Sequence, residues 1–456
     1  MNYVKNLCGV WKLRQNIKRS REQIHRIQQE KLYQLLHYAY ENSDYYKKAF
    51  EAHGITAECL DTTPLSEFPT MDKQILLEHF DEIVTQPDLK QDELRLFDEK
   101  EAVDRKPFNG KYHVVHSSGS TGTPGYFVYD EAAWSSMLLG IIRAALWGMS
   151  MPQILRLLTG RPRIVYIAAT DGRYGGAMAV GDGIEGVRAS QMYLDIKTPL
   201  NQWAERICDF QPNIVIGYPS AIKILGELAE QGQVKLNLVR VISCGEPLDA
   251  SLRAYLKETL HTTIINFYGA SESLVLGVEE NPDEGMVLFD DMNVVEVEDG
   301  AMYVTSLYNF AQPLIRYHIS DQVTLKVPES NNRYPFTRAV GLLGRSEDIL
   351  WFENGHGIRE FLHPLAIEGF CIVGLKDYQF VQIEKDAFEM LAEITETASE
   401  ERIREDMLHN MQKILSEKGL DYVQFYVRFV EKIFPDSQTG KKRLIQKPVE
   451  KEGIAE

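Results

Sequence analysis

Four short apolar runs alternate with stretches of helical periodicity, and this alternation constrains the fold more than any other feature. The apolar runs span residues 164–169, 214–217, 239–243 and 264–268, and the helical stretches span 199–210, 219–231 and 249–260. Continuous apolar strands are typical of strands buried on both faces, so the pattern predicts an α/β fold with a mostly parallel sheet covered by helices. In such sheets, ligands bind at the carboxyl ends of the strands.

The flanking segments predict further structure. Residues 11–50 and a stretch from Asp72 have helical patterns, and residues 286–327 form a strand-rich subdomain with a hairpin turn at Asp299-Gly300. The basic helix within 11–50 is expected to pack on its own domain, although such helices also lie on membranes.

A change of pattern near Arg345 marks a domain boundary. The chain beyond it is a compact α+β segment, with strands near 378–394, a helix near 399–418 and strict alternation over 423–429. We therefore expect an N-terminal domain of residues 1–344 and a small, mobile C-terminal domain of residues 345–456, since 456 residues exceed what one core usually holds.

Composition excludes several classes of protein. The net charge of −17 argues against nucleic acid as a partner. None of the five cysteines forms a Cys-x-x-Cys pair, so there is no zinc signature. No run of about 18 apolar residues predicts a membrane span, and the first residues lack a signal sequence. The expected location is the cytoplasm.

The loop His116-Ser117-Ser118-Gly119-Ser120-Thr121-Gly122-Thr123-Pro124-Gly125 is dense in hydroxyls and glycines. Bare backbone N–H groups and neutral hydroxyl donors suit a loop that wraps a phosphate. The Walker A pattern does not fit. Taken alone, a polar surface turn explains this loop equally well.

Four further motifs follow in order along the chain. They are Gly245-Glu246-Pro247-Leu248, the stretch Asn266-Phe267-Tyr268-Gly269-Ala270-Ser271-Glu272, the stretch Pro313-Leu314-Ile315-Arg316-Tyr317-His318-Ile319-Ser320-Asp321, and the pair Leu343-Gly344-Arg345-Ser346-Glu347-Asp348 with Thr439-Gly440-Lys441-Lys442-Arg443. With the loop, these motifs resemble the adenylate-forming superfamily of acyl-CoA synthetases and adenylation domains, in its phenylacetate–CoA ligase-like branch. Residues 39–46 and 68–73 fit the same branch.

The resemblance implies that ATP and a carboxylic acid form an acyl-adenylate and pyrophosphate, and that the acyl group then passes to a thiol, above all CoA. Adenylating enzymes with an amine acceptor, a carrier-protein acceptor or no acceptor stay open, as does a non-catalytic nucleotide-binding scaffold. A homodimer is an expectation by analogy with relatives.

The resemblance also implies roles for residues around ATP. The loop would clasp the β- and γ-phosphates through Ser117, Ser118, Gly119, Ser120, Thr121, Gly122 and Thr123, the last standing where a lysine is usual. The turn Gly245, Glu246 and Pro247 would border the adenine. In the next turn, which contains Gly269, Tyr268 would stack on the adenine and Ser271 would lie near the α-phosphate.

Glu272 would ligate Mg²⁺, and a hard carboxylate oxygen suits that ion. Asp321 would accept hydrogen bonds from both ribose hydroxyls, for which a carboxylate has enough acceptor sites. His318 and Ser320 depart from the family pattern and receive no role.

The hinge motif and the lysine loop complete the resemblance. Arg345 would reach the ribose or the phosphates, and Glu347 stands where the hinge aspartate is usual. Lys441 would bridge the carboxylate and the α-phosphate, with Lys442 as the alternative in register. The acid pocket is expected beside Tyr218 and Cys244, whose surroundings would accept an aromatic or apolar acid.

Overall fold

The structure is a computed structural model. It describes residues 3–100, 106–116, 125–170, 175–185, 189–248, 250–298, 300–319, 321–327, 333–343, 350–353, 357, 359–362, 372, 374–395, 398–433 and 445–446.

Within the described residues, the α-helices lie as follows: α1 (Tyr3–Asn16), α2 (Arg21–Asn42), α3 (Asp44–Ala52), α4 (Lys73–Ile83), α5 (Gln91–Lys100), α6 (Glu131–Ala145), α7 (Met151–Thr159), α8 (Gly175–Glu185), α9 (Leu200–Phe210), α10 (Pro219–Glu230), α11 (Ala250–Leu260) and α12 (Glu400–Glu417).

The strands of the N-terminal part are β1 (Tyr112–His116), β2 (Tyr126–Asp130), β3 (Arg163–Ala168), β4 (Ser190–Asp195), β5 (Ile214–Gly217), β6 (Arg240–Cys244), β7 (Thr263–Ala270), β8 (Ser273–Glu279), β9 (Met286–Leu288), β10 (Asn293–Glu298), β11 (Ala301–Ser306), β12 (Tyr317–Ile319), β13 (Gln322–Lys326) and β14 (Arg338–Leu343). Those that follow are β15 (Leu350–Glu353), β16 (Arg359–Leu362), β17 (Leu375–Glu384), β18 (Ala387–Ile394), β19 (Gln424–Phe429) and β20 (Ile445–Gln446).

A nine-stranded sheet in the order β13-β14-β9-β8-β7-β6-β5-β3-β4 forms the centre of the fold. Strands β3, β5, β6 and β7 are parallel, as the strand–helix alternation predicts, and β4, which none of the four apolar runs includes, adds a fifth parallel strand at the edge. The other half is antiparallel, so the sheet is mixed. Strands β9 and β13 come from the region 286–327 predicted as a strand-rich subdomain, yet with β14 they extend the central sheet. Only β10, β11 and β12 form a separate antiparallel sheet.

The N-terminal helical region consists of three helices where the sequence pattern predicts a continuous one. Helix α2 begins after Ser20, whose side chain and Gln23 form a capping box, and α3 begins after Ser43, whose hydroxyl accepts from the Tyr46 amide. Each serine side chain accepts a hydrogen bond from a backbone amide in the first turn of the helix that follows, so a new helix begins there and the preceding one ends. The helix from Asp72 is confirmed, with Asp72 as its N-cap.

A buried charge network ties this region to the rest. Both guanidinium Nη atoms of Arg143 on α6 bind the Asp291 carboxylate, at 2.7 and 3.0 Å, and Asn16 of α1 donates to the same carboxylate at 2.7 Å. Arg143 and Asp291 are fully buried. Pairing and hydrogen bonding together satisfy both charges, which a buried charge requires.

The C-terminal residues build a sheet in the order β19-β18-β17-β20, against which α12 packs, and they form their own apolar cluster. The hairpin β15–β16 joins two clusters. Leu350 and Leu362 pack into the C-terminal cluster, while Phe361 packs into the cluster under the parallel strands, edge-to-face with Trp203 at 5.4 Å. The described residues include no helix that is both long and apolar enough to cross a bilayer.

Candidate active site

The predicted site residues that the structure describes lie at the carboxyl ends of β5, β6 and β7 and at the start of β13. The phosphate loop (117–124), Arg345 and Lys441 lie outside the described residues. Strands β1 and β2, which flank the loop, are paired, with His116 opposite Tyr126, so the two ends of the loop are neighbours. The Tyr129 hydroxyl of β2 donates to the Ser271 carbonyl at 3.0 Å, which fixes β2 against the turn after β7.

Two turns meet where β5 and β6 end. The backbone at Gly245 has φ +81°, and a Cβ there would lie 2.6 Å from Cε1 of Tyr218. Both the left-handed conformation and the close approach of the ring require glycine. The Ser220 hydroxyl and amide donate to Oε2 of Glu246, at 2.6 and 3.2 Å, which links the two turns.

Cys244 lies in the same place, where its Sγ is 3.7 Å from the Gly217 carbonyl oxygen. Burial, and then the charge of Glu246, raise the pKa of the Cys244 thiol to about 12. The thiol is therefore protonated at neutral pH, and a protonated thiol is a poor nucleophile.

Tyr268 and Asp321 are in direct contact, although 53 positions separate them in the chain. The Tyr268 hydroxyl donates to Oδ2 of Asp321 at 2.7 Å and lies 3.8 Å from Sδ of Met302. Burial, the charge of Asp321 and this hydrogen bond raise the pKa of Tyr268. The hydroxyl stays protonated and orients the carboxylate.

Glu272 is partly buried beside them. Burial is the main cause that raises the pKa of Glu272, and the charge of Asp321 raises it further, while the charge of Lys73 lowers it. A carboxylate kept from water near a second carboxylate is stabilised by an added cation. The chemistry of this group fits one Mg²⁺ ligand among phosphate and water oxygens. The described residues contain no group of three or more acidic, His or Cys side chains that could hold a metal alone.

The motif-by-motif prediction missed Lys73. It is the first residue of α4, directly after the N-cap Asp72. The charges of Glu272 and Asp72 both raise the pKa of Tyr317, after burial as the main cause, so the start of α4 lies at this edge of the site. The sequence contained a signal, since Lys73 ends the quoted 68–73 motif, but nothing in that motif indicates its distance from Glu272.

No family model matches the chain. The fold is similar to that of a solved acyl-CoA ligase. It matches 2-hydroxyisobutyryl-CoA ligase in complex with its acyl-AMP and CoA with a TM-score of 0.62 at 20% identity, covering 95% of this chain and 91% of that one. An open conformation of the same enzyme gives a TM-score of 0.54, covering 92% and 90%.

The sequence is homologous to phenylacetate–CoA ligases. It is 27% identical over 357 residues to the enzyme of Aromatoleum evansii, and that alignment covers 73% of each chain. It is 25% identical over 353 residues to the enzyme of Escherichia coli, and that alignment covers 72% of each chain. Protein CapK of Staphylococcus aureus is 20% identical, covering 94% of this chain and 91% of that one. The resemblance drawn from the motifs is confirmed.

Proposed function

We propose that the chain is an AMP-forming acid–thiol ligase that activates a carboxylic acid with ATP and transfers the acyl group to CoA. A carboxylate oxygen of the acid attacks the α-phosphorus of ATP, and the bond to the β-phosphate breaks with loss of pyrophosphate. The CoA sulfur then attacks the acyl carbon, and AMP leaves. Neither step needs a nucleophile from the protein, so positioning and charge stabilisation supply the catalysis.

The contact between Tyr268 and Asp321 carries the proposal. A purine on the Tyr268 ring would place its ribose near the Asp321 carboxylate, because the tyrosine hydroxyl already holds that carboxylate at 2.7 Å. The second oxygen, Oδ1, and the remaining lone pairs can accept from both ribose hydroxyls. The acyl-CoA ligases of the same fold and the homologous phenylacetate–CoA ligases support the same assignment.

The phosphates would lie on the Glu272 side of this contact. Mg²⁺ bound there would neutralise phosphate charge. The turn that contains Glu272 is held in place, because the Tyr129 hydroxyl donates a hydrogen bond of 3.0 Å to the Ser271 carbonyl. The Ser/Gly loop, Ser117 to Thr123, would close on the β- and γ-phosphates, and the Ser271 hydroxyl would face the α-phosphate.

The acid would bind where the turns after β5 and β6 meet. Tyr218, only 7% exposed, covers Gly245 with its ring, and the protonated Cys244 thiol adds apolar surface. These groups suit an aromatic or apolar acid, since apolar lining with few polar groups is the usual composition of such pockets.

The C-terminal segment is proposed as a mobile domain, residues 345–456, with a hinge near Arg345. Lys441 would stabilise the charge that develops at the α-phosphorus during adenylation, and rotation of the domain would then withdraw it and expose the acyl-adenylate to CoA. Arg345 would bind the ribose or the phosphates. A homodimer and a cytoplasmic location belong to the same proposal.

Product analysis tests the whole reaction. Purified protein with ATP, Mg²⁺, CoA and aryl, arylacetic, fatty and amino acids is expected to give acyl-CoA, AMP and pyrophosphate in equal amounts with one acid class. Lys441→Ala should lose most adenylation while Lys442→Ala keeps it. The formation of ADP and phosphate would contradict the proposal.

A second acceptor class has one observation in its favour. The likeness to CapK covers 94% of the chain, whereas the likeness to the Aromatoleum evansii ligase covers 73%. Replacing CoA by amines in the product analysis distinguishes the two. An acyl amide formed without CoA, and no acyl-CoA, would favour an amine acceptor.

A further inference from the structure

Arg316 is a buried charge inside the Pro313–Asp321 motif that the proposed roles leave unused. It is 2% exposed, and its backbone has φ +50°, a left-handed conformation that non-glycine residues rarely adopt. A buried residue keeps this conformation only when contacts with the surrounding structure hold it there.

The guanidinium of Arg316 binds two segments at once. Its Nη1 donates to the carbonyl oxygens of Ser66 and Phe68, at 2.7 and 2.8 Å. Its Nε donates to Glu296 at 3.2 Å, Nη2 pairs with Glu298, and the group lies 5.3 Å from the centre of the Tyr303 ring. Glu296, Glu298 and Tyr303 belong to β10 and β11, whereas Ser66 and Phe68 precede α4.

The backbone on either side of the guanidinium makes the same connection. The Met71 amide donates to the Arg316 carbonyl at 3.1 Å, and the His318 amide donates to the Met71 carbonyl at 2.7 Å. The Tyr46 hydroxyl of α3 donates to the Pro313 carbonyl at 2.9 Å and accepts from the Ile315 amide at 3.1 Å. The segment 66–71 is thus bound to β12 by side chain and backbone together.

The two chain segments that Arg316 joins both lead to the candidate site. Segment 66–71 runs into the N-cap Asp72 and then Lys73, whose charge lowers the pKa of Glu272. In the other direction, Arg316 precedes β12, and the chain reaches Asp321 two residues after that strand ends. Arg316 therefore joins the segment that leads to Lys73 with the segment that leads to Asp321.

We propose that Arg316 is a positioning residue for nucleotide binding, which sets the separation between the start of α4 and the Asp321 carboxylate. The proposal rests on the proposed function, since it takes Asp321 and Glu272 as nucleotide-binding groups. Lysine cannot replace this arginine, because one ammonium cannot reach two carbonyls and two carboxylates in the geometry of a planar fork.

The test compares Arg316→Lys with Arg338→Lys. Arg338 is also buried and also binds a carbonyl and a carboxylate, those of Glu284, but it lies on β14 away from the site. Two readouts are taken: the dissociation constant of ATP with Mg²⁺ in the absence of acid, and amide hydrogen exchange of residues 66–76 and of His318 without ligand. Neither readout requires the enzyme to turn over, so a failure of the proposed reaction stays distinguishable from a failure of this inference.

We expect Arg316→Lys to weaken ATP binding about tenfold and to speed exchange at Met71 and His318, a loss comparable to one charge-assisted hydrogen bond. Arg338→Lys should leave both within about twofold. Unchanged ATP affinity and exchange in Arg316→Lys, or equal losses in both variants, would overturn the proposal.

If Arg316→Lys does not fold, Glu298→Gln replaces it, because this carboxylate is 42% exposed and its loss loosens only one side of the guanidinium. The expected loss of ATP affinity is then about two- to threefold, with faster exchange at Met71. No change in either readout would contradict the positioning role.

Discussion

The Tyr268 hydroxyl donates a hydrogen bond of 2.7 Å to the Asp321 carboxylate, joining the end of β7 to the crossing between β12 and β13. Asp321 lies where the chain passes from the small antiparallel sheet into the central sheet. The tyrosine hydroxyl therefore holds the carboxylate in place, in addition to the adenine stacking that we propose for its ring.

Tyr268→Phe keeps the ring and removes that hydrogen bond. A hydrogen bond to a charged group contributes about 1.5 kcal/mol, so the KM for ATP should rise about tenfold with kcat nearly unchanged. Initial rates of acid-dependent pyrophosphate exchange measure this. Tyr255→Phe is the matched control, since its hydroxyl binds Glu230 at 2.9 Å on the surface of α10 and α11. A KM that changes equally in both variants would contradict the account.

The raised pKa of Glu272 predicts a pH dependence. Burial and Asp321 favour its protonated form, and only the carboxylate binds Mg²⁺ well, so the KM for MgATP should rise as the pH falls, beginning above the ordinary glutamate range. Glu272→Gln should remove this dependence and raise the KM at every pH. A parallel pH profile for the variant would show that another group titrates.

The same shift has a consequence for stability. A carboxyl whose folded pKa lies above its unfolded pKa binds its proton more tightly in the folded state, so folding stability falls as the pH rises through the folded value. Glu272→Gln should therefore raise the melting temperature of the apoprotein at pH 7.5 and leave it nearly unchanged at pH 4. A lower melting temperature at pH 7.5 would contradict the assignment of burial as the main cause.

Gly245→Ala tests the packing of Tyr218 on the turn after β6. The new Cβ would lie 2.6 Å from the ring at a backbone with φ +81°, and we expect a loss of about 2–4 kcal/mol in unfolding free energy. Gly232→Ala is the control, because Gly232 has φ +70° but nothing within 4 Å of its Cβ, and it should cost about 1 kcal/mol. Urea unfolding measures both losses.

A Tyr218→Ala background separates the two causes. There, Gly245→Ala should cost no more than Gly232→Ala, because only the backbone strain remains. A penalty that stays the same with and without the Tyr218 ring would mean that the ring does not contact this turn.

The buried pair between Lys418 and Glu360 links the end of α12 to β16 and, through the Leu200 amide, to the start of α9. The two side chains are 3.0 Å apart and almost unexposed, and the second carboxylate oxygen accepts from the Leu200 amide at 2.7 Å. Lys418→Met leaves Glu360 buried and unpaired, which should cost about 3–5 kcal/mol. Lys385→Met, at an exposed pair with Glu353, should cost under about 1 kcal/mol.

The double variant Lys418→Met with Glu360→Gln completes this test. It should regain part of the stability that Lys418→Met loses, because no uncompensated charge is then left in the interior. Chemical denaturation of Lys418→Met, Glu360→Gln and the double variant supplies the comparison. Additive losses would show that the two residues act independently and that the pair does not join the two parts of the chain.

Local patterns in the sequence predicted the parallel half of the sheet well. The run 214–217 coincides with β5, and Asp72 could be recognised as the start of a helix from its residue type. Buried strands and helix caps depend on neighbouring residues, so the sequence carries their signals. The capping box at Ser20 carries the same kind of signal, although the continuous periodicity of residues 11–50 masks it.

Long-range partners could not be predicted in the same way. The addition of β9, β13 and β14 to the central sheet depends on contacts between distant segments. The alternation of apolar and polar residues within these strands would be the same in the central sheet and in a separate sheet. The carbonyls of Ser66 and Phe68 carry no side-chain signal at all, so the role of Arg316 became visible only with the fold. Motif order placed Tyr268 and Asp321 at one site, but it did not predict the hydrogen bond between them.

The most direct test of the central claim is ATP–pyrophosphate exchange by the purified protein, without CoA, across aryl, arylacetic, fatty and amino acids. The account predicts exchange that depends on one class of acid and on Mg²⁺, and that Asp321→Asn weakens through the KM for ATP. ATP binding without exchange for any acid would contradict adenylate formation and favour the nucleotide-binding scaffold.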